Sequence, residues 1–122
     1  MTSKSPHQYR LLFSMLTFFF SSNVFALNNV PHIIVEIPKL DNAQVFADFT
    51  DGFPAVLNYF TQSTEAQIIE FYKKHYGKVV SKERKRGRLT LFFLQENQSM
   101  RVVISQQNNK HQIDIMVDRV RE

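Results

Sequence analysis

Asp48-x-x-Asp51-Gly52 is the stretch of this chain whose residue types and spacing come nearest to chemistry. Two carboxylates before a turn-forming glycine suggest the start of a calcium loop. A complete loop needs further oxygen ligands at fixed offsets, and none follow. The same acids, or Glu36 with Asp41, could serve as the acid and base of a small hydrolase. Any acidic turn offers such a pair, so the plainer reading is a polar turn. His32, His75 and His111 are scattered, without an i, i+4 pair or a carboxylate pattern suited to a metal. Glycine occurs only 3 times, and the sequence holds neither a phosphate cradle nor a nucleophile elbow. With 0 cysteines the chain has no disulfide frame and no thiolate metal site. These residues point to no enzyme, no metal and no cofactor.

Charge is more telling. KERKRGR, residues 82–88, places five basic residues in seven positions. Residues 73–88 hold eight Lys or Arg against one acid, Glu83, while the rest of the chain after residue 26 holds five bases and ten acids. The molecule is polarised rather than uniformly basic. A concentrated basic patch of this kind speeds association with negative surfaces. Arg84, Lys85, Arg86 and Arg88 are therefore the candidate contacts for an acidic partner. The plainer reading is a solvated hairpin tip whose lysines discourage strand pairing with other chains. Nucleic acid fits poorly, because the run has no interleaved aromatic for base stacking. Anionic lipid or lipopolysaccharide stays open within the acidic-partner reading, though no basic amphipathic helix with bulky apolar residues supports it.

The elements that hold these residues follow from periodicity. STEAQIIEFYKKHYG opens with Ser63 and Thr64 as N-cap candidates, and Gln67 stands three residues after Thr64 as in a capping box. Glu65 lies in the first turn and Lys73, Lys74 and His75 in the last, on the sides the helix dipole favours. Ile68, Ile69, Tyr72 and Tyr76 make one apolar stripe, and Gly77 supplies the stop. After Gly77 the period becomes two. Val79–Lys85, Arg88–Gln95, Met100–Gln106 and His111–Asp118 read as four strands of a meander. Two-residue loops at Arg86-Gly87, Asn97-Gln98 and Asn108-Asn109 set Leu91 opposite Ile104 and Phe93 opposite Val102. They also set Ile104, Val102 and Met100 opposite Ile113, Ile115 and Val117. One face then reads Leu89, Leu91, Phe93, Met100, Val102, Ile104, Ile113, Ile115 and Val117, all apolar. VLNYF (56–60) reads as a further strand, with weaker candidates at 32–37 and 45–49. The expected fold is α+β, one helix packed on an antiparallel sheet in the order strands, helix, four-strand meander.

The other face of that meander carries Phe92, Leu94, Val103 and Met116, with Arg101 and Asp114 among them. Apolar patches of this size are unusual on a monomer. The plainer expectation is that Ile33, Val35 and Ile37, with Phe46 and Phe49, fold over it. The functional expectation is a contact surface for a partner or a second copy, centred on Phe92, Arg101 and Met116 and containing an Arg101–Asp114 pair.

The first 26 residues set the compartment. Lys4 and Arg10 precede an apolar run from Leu11 to Phe20, and Val24 and Ala26 stand at −3 and −1 of a cleavage site. That is the layout of a secretory signal peptide, and the run falls short of the roughly 20 apolar residues a membrane span needs. The expectation is cleavage after Ala26, export to the periplasm with full secretion as the alternative, and one domain over 27–122, with 27–50 as an N-terminal extension and 51–122 as the core. Phe53-Pro54, a strand ending near Phe60, Ser63, Ile69-x-Phe71-Tyr72 and Gly77 form a series that resembles small exported bacterial periplasmic or lipoprotein domains of unassigned function. The resemblance spans roughly half of the mature chain, implies the fold, and implies no activity. The functional expectation is a non-catalytic binding or accessory protein of the envelope. An inhibitor or immunity protein against an envelope-acting enzyme is the alternative, and a small hydrolase using Asp48 and Asp51 is a more distant one.

Overall fold

The structure, a computed structural model, describes residues 33–120. The expected leader, 1–26, and its cleavage point lie outside the described residues. Strands β1 (Gln44–Phe49) and β2 (Ala55–Thr61) precede helix α1 (Glu65–Tyr76). Strands β3 (Ser81–Lys85), β4 (Arg88–Gln95), β5 (Gln98–Gln107) and β6 (Lys110–Arg119) follow it. All six strands form one antiparallel sheet in the order β1-β2-β6-β5-β4-β3. The chain must therefore travel from β2 to β3 across four inter-strand spacings, roughly 19 Å. A helix of 12 residues spans roughly 18 Å, which matches that crossing.

Local chemistry fixes both ends of α1. The Thr64 hydroxyl accepts from the Gln67 amide at 3.2 Å, and the Gln67 side chain accepts from the Thr64 amide at 2.9 Å, completing the capping box. At the other end the Gly77 amide donates to the Lys73 carbonyl at 2.8 Å, with Gly77 at φ 89°. A positive φ of this kind favours glycine.

The meander pairs as expected at two of its three hairpins. Lys85 faces Arg88 across Arg86-Gly87, and Gln107 faces Lys110 across Asn108-Asn109. The middle hairpin differs: Gln95 faces Gln98, so the loop is Glu96-Asn97 rather than Asn97-Gln98. Leu91 consequently pairs with Val102 and Phe93 with Met100. Moving a two-residue loop by one position moves each partner by two, and a shift of two keeps every side chain on its face. The apolar set survives intact, with all nine residues at 2% exposure or less.

The strand expected at 32–37 does not form among its described residues. From Ile33 to Pro38 the chain has no regular structure, and its tie to the sheet is the Val35 amide donating to the Thr50 carbonyl at 2.9 Å. Pro38 has no N–H to give a ladder. Val35 joins the buried cluster formed by the meander's apolar set, Ala55, Leu57 and Tyr59 of β2, and Ile68, Tyr72 and Tyr76 of α1. Ile37 and Leu40 pack against the same cluster. The extension thus serves the already sheltered side. Phe46 and Phe49, expected to cover the other face, sit on the edge strand β1 at 52% and 68% exposure.

A chain of tyrosine hydroxyls locks this core. The Tyr72 O–H donates to the Pro38 carbonyl at 2.9 Å, and the Tyr59 hydroxyl lies 2.7 Å from that of Tyr72. With one proton per phenol, Tyr59 donates to Tyr72. The Tyr76 ring lies tilted against that of Phe93 at 5.5 Å, but the buried Tyr76 hydroxyl has no partner among the described residues.

Two outcomes follow. Tyr72→Phe strands the Tyr59 hydroxyl and the Pro38 carbonyl and costs about 1–3 kcal/mol in denaturant unfolding, whereas Tyr76→Phe is neutral or stabilising. Burial raises the pKa of Tyr59 and Tyr72 and pushes Tyr76 up to about 12. A raised folded-state value means stability is fully present below the ordinary tyrosine value near 10 and drains away as pH climbs through the folded values. Stability measured against pH should therefore decline above pH 10, and Tyr76→Phe should shallow that decline.

Candidate functional site

The basic hairpin divides by face. Its loop turns on Arg86 and Gly87, at φ 54° and 77°. Ser81, Glu83 and Lys85 pair with Phe92, Thr90 and Arg88, and these alternate with the buried Leu89 and Leu91. Lys82 and Arg84 point to the helix side. There the Arg84 guanidinium grips Glu65 with both nitrogens, Nη2 to Oε1 at 2.8 Å and Nη1 to Oε2 at 3.3 Å. This forked geometry is the stronger form of ion pair. Hydrogen bonding from Arg84 is the main reason the Glu65 carboxyl is held below its ordinary range. The expected quartet of Arg84, Lys85, Arg86 and Arg88 is thus not one unit. Arg84 is committed to tying β3 to the first turn of α1.

Lys85, Arg86 and Arg88 instead meet the second expected set. A groove of about 470 Å³ on the face opposite the buried cluster is lined by these three cations together with Glu83, Thr90, Phe92, Arg101 and Val103. A neighbouring groove of about 380 Å³ shares Phe92 and Arg101 and runs on to Val80, Leu94 and Met116. The two form one trough along β4, mainly cationic at the hairpin and mainly apolar at the far end, where Asp118, Ser81 and Ser99 also line it. Volumes of this order suit a ligand or an anchoring side chain. Phe92, Arg101 and Met116 lie in one cross-strand row.

That row extends further than the meander shows. Met116 pairs with Val56, and Val56 with Phe49, carrying apolar side chains to the far edge of the sheet. Nearby, Phe46 packs on Phe60 at 4.8 Å, and the Lys110 ammonium sits 4.7 Å from the Phe60 ring centre. The alternation of VLNYF was a signal for Val56 and Phe60, but no loop length specifies a β2–β6 pairing.

The expected Arg101–Asp114 pair is not made. Asp114 accepts from the Asn58 side chain at 2.6 Å and from Gln112 at 3.1 and 3.2 Å. Arg101 reaches the Met116 sulfur at 3.7 Å instead. In the observed register Asp114 lies opposite Val103, one row away from Arg101, which faces Met116. Among the described residues no carboxylate stands within ion-pair distance of Lys85, Arg86, Arg88 or Arg101.

Asp48 and Asp51 border a shallow depression of about 280 Å³ beside Phe49 and Phe53. Both are exposed, and Asp48 accepts from the Thr50 hydroxyl at 2.8 Å, as a polar turn would have it. The His111 ring nitrogen is occupied by the Ser63 carbonyl at 2.9 Å. Among the described residues no three His, Asp or Glu side chains gather as a metal site, and no helix is long and apolar enough to cross a membrane. No protein-family model, curated protein or solved structure matches this chain.

The Arg84–Glu65 fork gives a direct check. The Glu65 carboxyl should titrate below its ordinary value of 4.5, and Arg84→Ala should return it toward that value in carbon-detected NMR. With a depressed folded value, the pair's stabilisation is present above the ordinary value and is lost as pH falls through the folded one.

Proposed function

We propose that this protein is an exported, non-catalytic binding protein of the bacterial envelope that engages an acidic protein partner through the sheet face away from α1. In this reading α1 packs on one face of the sheet and closes it, leaving the other for contact. The observation that carries the reading is the trough itself. Among the described residues three cations without ion-pair partners, with Glu83 in the same groove, border Phe92, Arg101 and a largely apolar run on one face. Aromatic and arginine side chains are the residues that anchor protein interfaces most often, and a cationic rim raises the rate of encounter with a negative partner.

The export component rests on the leader-like first 26 residues, and the periplasm is the compartment it implies. The resemblance to small exported domains accords with it. An inhibitor or immunity role is a narrower form of the same reading. It is favoured by the exposed two-residue tip at Arg86-Gly87, which could enter a partner's cleft. The hydrolase reading gains nothing from two water-exposed carboxylates, one of them already hydrogen-bonded to Thr50.

Capture from envelope extract tests the proposal. A stable acidic partner should be retained at low salt and released as ionic strength rises. Joint reversal of Lys85, Arg86 and Arg88 to Glu should weaken retention by on the order of tenfold or more, and Phe92→Ala should weaken it at every salt concentration. Arg84→Ala should leave it nearly unchanged. Retention insensitive to all of these substitutions would remove the face from consideration.

A further inference from the structure

The sheet's two outer strands are built differently. β3, reading SKERK, is exposed throughout and guarded by charge, the usual defence of an edge. β1 is not guarded in this way. Val45, Phe46 and Phe49 are 41%, 52% and 68% exposed, and Asp48 and Asp51 flank Phe49. Apolar side chains left this open at an edge mark a contact surface. One end of the molecule thus offers exposed phenylalanine with acids, and the other a trough of unpaired cations around Phe92. The acids of the first end complement the cations of the second, although Glu83 also lines the trough and Lys110 stands over Phe60 beside Phe46.

We propose that a second copy of this chain is an occupant of the trough, docking its β1 edge there. Phe49 seats near Phe92 and Arg101, while Asp48 and Asp51 meet Lys85, Arg86 and Arg88. The inference rests on the preceding reading that the trough is a contact surface, and it names one acidic partner. The contact is head-to-tail: the two copies use different surfaces, so an unsatisfied edge and an unsatisfied trough remain at the ends of each pair. Assembly can then continue into a ring or a chain. The same trough serves an envelope partner, so self-association and partner capture compete.

Sedimentation velocity on the purified protein, over a range of concentrations at low and moderate salt, tests this. Wild type should gain mass with concentration at low salt and return to monomer as salt rises. Asp48→Lys/Asp51→Lys and Arg86→Glu/Arg88→Glu should each remain monomeric alone. Their equimolar mixture should form a dimer and nothing larger, because each contributes one intact surface. All four positions are exposed, and circular dichroism melts confirm folding; Phe49→Asp serves as a second edge variant with the same expected behaviour. Monomeric wild type at low salt, a mixture that stays monomeric, or a variant that self-associates alone as wild type does would each overturn the proposal. Capture by Asp48→Lys/Asp51→Lys distinguishes the two readings. If envelope capture persists while self-association is absent from wild type, only this inference falls; if capture is also insensitive to the trough cations, the parent reading falls with it.

Discussion

Strand alternation sends two different sets of side chains to opposite sides of a single sheet, and only one of them falls within the buried cluster. Everything else in this molecule follows from that shortage of cover. Leu89, Leu91, Phe93 and their cross-strand partners fall to 2% exposure or less in one cluster with Ile68, Tyr72 and Tyr76, against which Ile37, Leu40 and Ala43 pack. The tyrosine chain from Tyr59 through Tyr72 to Pro38 fastens that cover down. Removal of a buried aromatic or aliphatic side chain from water is worth roughly 1.5–3 kcal/mol each. The sheltered face is therefore the source of stability, and the far face is free to be chosen for something else.

What that face was given is an uneven charge. β3 carries cations on both its sides, but the two sides have different fates. Arg84 meets Glu65 at the dipole-favoured start of α1 and becomes part of the scaffold. Lys85, one residue on, points the other way and joins Arg86 and Arg88 at the mouth of the trough. A one-residue difference thus separates an ion-paired arginine from a lysine that lines the trough. Buried or tightly paired charge adds little to binding, while unpaired rim charge governs encounter and its dependence on salt.

Much of the fold was legible because its signals are local. The Thr64–Gln67 box, the Gly77 stop and the period-two strands each act over a few residues, and the core set emerged whole. The sequence reading puts the middle hairpin one residue late because the turn chemistry of ENQS is ambiguous: Glu96, the residue that takes φ 51°, is not a usual turn former. The site was legible in its parts but not in its assembly. The basic run and the Phe92, Arg101 and Met116 set were both visible, yet their union into one trough depends on which way each β3 residue points. The Arg101–Asp114 pair failed because both residues share a face but not a row. Residues 32–37 read as a strand from a brief alternation between Pro31 and Pro38, yet 33–38 form no ladder and Pro38 has no N–H to give one.

The central claim is that the face carrying Phe92 and Arg101 is open in the isolated protein and covered in its working state. The chain has 0 cysteines, so a single introduced thiol reports without ambiguity. Val103→Cys lies on the far face and Ile104→Cys in the core. With dilute purified protein, a water-soluble thiol reagent should label Val103→Cys quickly and Ile104→Cys only on unfolding. In envelope extract the Val103→Cys label should be suppressed. Slow labelling of Val103→Cys in the dilute isolated protein would mean the chain covers this face by itself, and the account would be wrong.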